Sequence, residues 1–153
     1  MTYGIDFISI GNADSIMIRY LNSQNTEWVV LIDAGNKGDG PLVESFIKNY
    51  TNQKYIDLAI NTHPDSDHIG GFFHLIDRIK INKFWIHDPR KHVNLNEVRR
   101  NLSVASFRKK MTRINESINN STSLLDIIDS KNIDREEPFS GLDHASIPLY
   151  VLG

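Results

Sequence analysis

The run Trp28-Val29-Val30-Leu31-Ile32 is apolar without interruption, which is the pattern of a strand buried on both faces. A chain that contains it needs cover on either side of a sheet. Ile56 to Asn61 (IDLAIN) reads as a second buried strand, and Ile81 to His87 (INKFWIH) as a third, closed by Asp88-Pro89. Helical spacing fills the gaps between them. Pro41 suits the first helical position, with Leu42, Val43, Phe46 and Ile47 on the apolar side of a helix that ends near Tyr50. Phe72, Phe73, Leu75, Ile76 and Ile79 predict a helix over Ile69 to Ile79. Strands alternating with helices indicate an α/β architecture.

The flanks are less regular. Tyr3 to Ile10 alternates, and Ser15 to Leu21 is rich in β-formers across the turn Gly11-Asn12-Ala13-Asp14, so the chain should open with a hairpin. From about Asn94, the series Val98, Leu102, Ala105, Phe107, Met111, Ile114 and Ile118 predicts one long or broken helix. Ser123 with Asp126 three residues on suggests a capping box for a shorter helix through Ile128. Ser130 to His144 reads as loop, and Ile147 to Leu152 as a last strand.

Composition narrows the chemistry. At 153 residues, 40% hydrophobic and 24% charged, the chain is expected to form one globular domain over 1–153. It has no cysteine, so thiolate metal sites, disulfides and cysteine nucleophiles are excluded and any metal must use His, Asp or Glu. The longest plain apolar run is far short of a membrane span and no leader pattern opens the chain, so a cytoplasmic protein is the expectation. Net charge is −2, unevenly spread: residues 1–77 carry −6, residues 78–113 carry +9 and residues 114–153 carry −5. The basic middle suits an anion-binding face; a solvated helix face paired with acids is the competing reading.

Residues 61 to 71, NTHPDSDHIGG, hold the most chemistry. In extended chain after a strand, His63, Asp65 and Asp67 point one way while Pro64 and Ser66 point the other, and His68 follows at a helix entry. Gly70-Gly71 lets a backbone or a substrate approach closely. A His-x-Asp-x-Asp-His string arises by chance on the order of once per thousand such sequences. A polar turn bearing helix caps is the alternative, but adjacent carboxylates and imidazoles without a cation would need other partners. The spacing suits one or two divalent cations. His74 reads as packing or solvent-facing, His87 as a strand-end residue that could line a cleft, and His92 and His144 as loop residues. Gly35, Gly38 and Gly40 around Lys37 lack the ending of a phosphate loop.

The segment resembles the His-x-His-x-Asp-His signature of the metallo-β-lactamase fold superfamily. Phe7 to Ser15 (FISIGNADS) resembles its opening hairpin, and Leu31-Ile32-Asp33-Ala34-Gly35 its buried Asp-containing strand. The wording His-Pro-x-x-Asp-His-x-Gly-Gly is similar to the hydrolase domain of ComEC-type DNA-uptake proteins. The resemblance covers residues 3 to about 87 and resumes at Leu149 to Gly153. It implies an αββα sandwich, of which this chain would be the N-terminal half plus the helical connection, incomplete at the C-terminus. It implies that His63 and Asp65 hold one metal, that Asp67 and His68 hold the second, and that Asp33 supports them from behind. Asp65 stands where the family has a second His, which favours a harder ion such as manganese or magnesium over zinc. The family's later Asp and His motifs have no counterpart here.

Hydrolysis by metal-activated water, with Asp67 orienting or deprotonating that water, is the reaction the resemblance implies. The ComEC-like wording and the basic residues, Arg99, Arg100, Lys109 and Lys110 among them, point to a phosphodiesterase or nuclease acting on a nucleic acid or nucleotide. The rival expectation is a catalytically silent module that serves as a structural or regulatory subunit of a larger complex. Either way, a protein partner or a missing second half is expected.

Overall fold

The alternation at the chain's start becomes a hairpin in the computed structural model, which describes residues 2–94, 96, 97, 100 and 108–152. Strand β1 (Thr2–Phe7) runs antiparallel to β2 (Ile16–Leu21), with Ile5 opposite Ile18 and Phe7 opposite Ile16. β2 pairs antiparallel with β3 (Glu27–Ile32). From there the sheet turns parallel, adding β4 (Ile56–Ile60), β5 (Ile81–Trp85) and β6 (Asp134–Glu136) in chain order. The result is an α/β fold on a six-stranded mixed sheet.

Parallel neighbours need crossovers, and helices supply them. Helix α1 (Gly40–Tyr50) begins with Pro41 in its first turn and buries Val43 and Ile47. The stretch expected as one helix over Ile69 to Ile79 is instead two four-residue helices, α2 (Ser66–Ile69) and α3 (Phe72–Leu75). Gly70-Gly71 divides them because these two residues lie against the loop after β3. The Gly71 amide donates to the Gly35 carbonyl at 3.0 Å, and a Cβ at Gly71 would collide with the Ala34 carbonyl oxygen. The close approach that the glycines permit is therefore made by backbone.

Beyond β5 come α4 (Pro89–His92) and α5 (Arg108–Ser130). Ser123 sits inside α5 and is not a cap, since Ile118, Leu124, Leu125 and Ile128 continue one buried stripe through it. A local capping pattern loses to that packing. β6 falls within the stretch expected as loop; its Asp-Arg-Glu sequence has no apolar alternation, and it is a strand through backbone pairing with β5, alongside which Lys83 bridges Asp134 at 3.3 Å and Glu136 at 2.8 Å. The expected last strand from Ile147 to Leu152 contributes only an isolated bridge between Asp143 and Tyr150. Pro148 has no N–H to give a ladder, and the Val151 amide turns back to the Leu142 carbonyl at 2.8 Å.

Met17, Val29, Leu31, Ala59 and Phe84 meet the helices in the main core, with Ile47, Phe72 and Leu125 among the fully buried partners. The other sheet face, with Val30, Leu58 and Trp85, is covered by the final segment through Leu142, Ile147, Leu149 and Val151. That cover stops short of β1. Among the described residues, no helix is long and apolar enough to cross a membrane.

Candidate metal centre

β3 and β4 are parallel neighbours with Ile32 opposite Ile60, so the residues that follow their carboxyl ends emerge side by side. Sheets of this kind bind ligands at that edge. Asp33 follows β3 in the left-handed region, at φ 56°, a conformation that Asp tolerates better than most residues. The strand continues into it: the Asp33 amide donates to the Ile60 carbonyl at 2.8 Å, and Ser15 donates its hydroxyl to the Asp33 carbonyl at 3.0 Å. Asp33 is buried, and its carboxylate must therefore be partnered.

It has four donors. The Thr62 amide lies 2.9 Å and the Asn61 side-chain amide 3.4 Å from Oδ1; the Thr62 hydroxyl lies 2.6 Å and His68 Nδ1 2.8 Å from Oδ2. A carboxylate only accepts. Hence Thr62 spends its one hydroxyl proton on Asp33, and His68 carries a proton on Nδ1. Thr62 Oγ1 also lies 3.0 Å from His63 Nδ1; with its proton committed, the hydroxyl accepts there, and His63 too is protonated on Nδ1. One buried carboxylate thus sets the tautomer of both imidazoles and leaves each Nε2 for something else.

The two rings sit together, with centroids 3.6 Å apart and planes tilted by 48°. One donor atom from each of Asp33, His63 and His68 falls within 4.8 Å of the others. His68 Nε2 faces two further carboxylates, Asp14 Oδ2 at 3.6 Å and Asp67 Oδ2 at 3.8 Å. An unprotonated ring nitrogen beside two carboxylate oxygens is a set of lone pairs with no hydrogen between them. Water, a second proton or a cation would complete this set, and the donor types fit a divalent transition metal. The carboxylate–imidazole arrangement behind them is the usual outer support of such a site.

The expected ligands are thus placed unequally. His63 and His68 share the cluster with Asp33, and Asp67 borders it. Asp65 accepts a hydrogen bond from Ser117 of α5 at 2.8 Å and, with Ser66, Asp67, Arg113, Glu116 and Asn120, lines a polar cavity of about 440 Å³. Asp14 is brought in by the fold: its amide donates to the Asp67 carbonyl at 3.3 Å and its carbonyl accepts from the Gly35 amide at 3.0 Å. In the sequence Asp14 belongs only to a hairpin turn, and its place within Phe7 to Ser15 (FISIGNADS) is the one signal that points to it.

Of the basic residues, Arg100 is exposed and Arg113 borders the polar cavity. Arg99 lies outside the described residues, as do the side chains of Lys109 and Lys110. His74 pairs with Glu44 at 2.6 Å, and His144 sits between the Trp28 and Trp85 rings, where burial holds its pKa below the ordinary histidine value.

The family model of the metallo-beta-lactamase superfamily matches residues 10–149 of this chain. No curated protein matches it. Among solved structures, a metallo beta lactamase from Hirschia baltica is similar over 58% of this chain, at 22% identity and a TM-score of 0.35. The chain spans 40% of that protein's length. With the family match running from the opening hairpin through the final segment, the chain belongs to the metallo-beta-lactamase superfamily.

Proposed function

We propose that the protein is a cytoplasmic metal-dependent hydrolase, a phosphodiesterase or nuclease that acts on a nucleic acid or nucleotide. The observation that carries this reading is the pair of imidazoles, His63 and His68, whose Nδ1 protons are both accounted for by the Asp33–Thr62 network. His63 and His68 would hold the ion through Nε2, with Asp67 beside them and Asp65 joining once released from Ser117. A bound divalent ion supplies Lewis acidity and lowers the pKa of water. Asp67, half-buried and next to His68, would orient or accept a proton from the attacking water. Asp33 keeps the rings aligned. Arg113 borders the cavity beside Asp65, Asp67 and Glu116, whose net negative charge suits a cation, so an anionic substrate would need the bound ion together with Arg113.

A carboxylate at position 65 favours manganese at least as much as zinc. The test is metal content by equilibrium dialysis against each ion, alongside hydrolysis of bis(p-nitrophenyl) phosphate by the wild type and by His63→Ala. Uptake with metal-dependent hydrolysis, both lost in His63→Ala, is the expected result; no uptake of either ion overturns the reading.

One observation favours a second reading. Asp65 is engaged by Ser117, so the donors assembled are fewer than two ions would use, as expected of a silent module in a larger complex. Metal uptake without hydrolysis of any phosphodiester would select that reading.

A further inference from the structure

A second cavity, of about 450 Å³, is bordered by His63 and falls within the roughly 300–1,000 Å³ typical of ligand pockets. Its walls are mostly carbon, from Pro64, Pro89, Val93 and Phe139, with the imidazoles of His63, His87 and His92 and the polar side chains of Asn61, Thr62 and Ser121 among them. Phe139 is 52% exposed, so about half of it is left for a ligand. It is nonetheless held in place, with its centroid 5.0 Å from the His87 ring and 5.6 Å from the His92 ring. His92 is fixed in turn by donating to Glu137 at 2.8 Å. Val93 is the one branched aliphatic side chain in the described lining, where a pocket for an aliphatic chain would carry several. This one offers aromatic and heteroaromatic rings, which suit a planar π-system.

His63 belongs both to this cavity and to the donor cluster. A ligand that filled the cavity would therefore have a flat, mostly apolar body on Phe139 and an anionic end at the metal-side histidines. We propose that the cavity is a nucleobase subsite in which a base stacks on Phe139 between His87 and His92 while its phosphate lies at His63. This assignment rests on the hydrolase reading for the role of the phosphate, but the base contact stands on the cavity itself.

Calorimetric titration with AMP and with ribose 5-phosphate, in the presence and absence of manganese, separates the two. AMP should bind about tenfold more tightly than the base-free compound, the order of gain that stacking one base on an aromatic ring gives. Phe139→Ala should erase that ratio and Phe139→Trp should keep it. His63→Ala should weaken both ligands alike. Equal affinity for the two compounds, no binding of AMP, or an unchanged ratio in Phe139→Ala overturns the subsite. If the AMP preference and its Phe139 dependence appear but no phosphodiester is cleaved, the subsite stands and the hydrolase reading fails. Cleavage of bis(p-nitrophenyl) phosphate without any base preference has the opposite meaning.

Discussion

Thr62 is the residue whose role least resembles its reputation as a strand-end polar group. Its hydroxyl donates to Asp33 at 2.6 Å and accepts from His63 at 3.0 Å, so it transmits the orientation of a buried carboxylate to a ring that the carboxylate does not touch. Thr62→Val keeps the shape and removes the relay. It should lower metal affinity by about 10–100-fold, the usual cost of losing an outer support, as read by chelator competition. Thr62→Ser should restore it. Glycines at this edge divide by environment. A Cβ at Gly71 would meet the Ala34 carbonyl oxygen, whereas one at Gly38 would meet nothing. Gly71→Ala should therefore cost about 3 kcal/mol or more in urea unfolding, and Gly38→Ala should be neutral or stabilising by up to about 1 kcal/mol.

At the scale of elements, a charge network ties α4, α5 and β6 to the end of β5. Arg90 donates to Asp88 at 2.7 Å and to Asp126 at 3.0 Å, and Arg135 donates to Asp129 at 2.6 Å. Glu137 closes the group, accepting from the Asp88 amide, Lys91 and His92. Burial pushes its carboxyl up, but those three donors overcome the effect and hold it at about 2. Hydrogen bonds from Arg90 likewise hold the Asp88 carboxyl below the usual range. Carboxyls depressed on folding stabilise the native state above their unfolded pKa, near 4.3 for Glu, and that contribution is lost as pH falls toward the folded value. Thermal stability should thus fall between about pH 4.5 and pH 2. Glu137→Gln should flatten that part of the profile, removing on the order of 3 kcal/mol of pH-dependent stability as measured by denaturant titration across the window. Because α4 carries His92, the acid form should also lose the second cavity's wall.

For the whole molecule, the two sheet faces differ. Helices cover one, and the final segment covers β3 to β5 on the other. Ile5 lies opposite Ile18, which lies opposite Val30, so Tyr3, Ile5 and Phe7 belong to the second face. They remain 55%, 60% and 78% exposed. A contiguous apolar stripe on an edge strand invites association. The protein should bind an apolar dye such as ANS in its folded state and self-associate with rising concentration in gel filtration. Ile5→Lys with Phe7→Ser should suppress both while shifting the unfolding midpoint little, since those side chains are already in water. Unchanged dye binding in the double variant would show that the stripe is not the adhesive surface.

The sequence by itself determined the layered α/β class and most of the strands, because continuous apolar runs such as Trp28 to Ile32 have no soluble alternative to burial between layers. It also located the imidazole-bearing segment, since His63 and His68 follow a strand end and local spacing places them near one another. It was silent on whatever depended on partners distant in the chain. β6 exists through its pairing with β5, fifty or so positions earlier; Ser123 is helix interior because of the stripe on either side of it; Gly70-Gly71 splits a helix because Ala34 and Lys37 lie against it. The same holds at the metal centre. Asp14 reaches His68, Thr62 couples Asp33 to His63, and Ser117 holds Asp65 only after β3, β4 and α5 are assembled. Periodicity encodes which side of an element is buried, whereas hydrogen bonds between loops depend on distances that only the packed sheet creates.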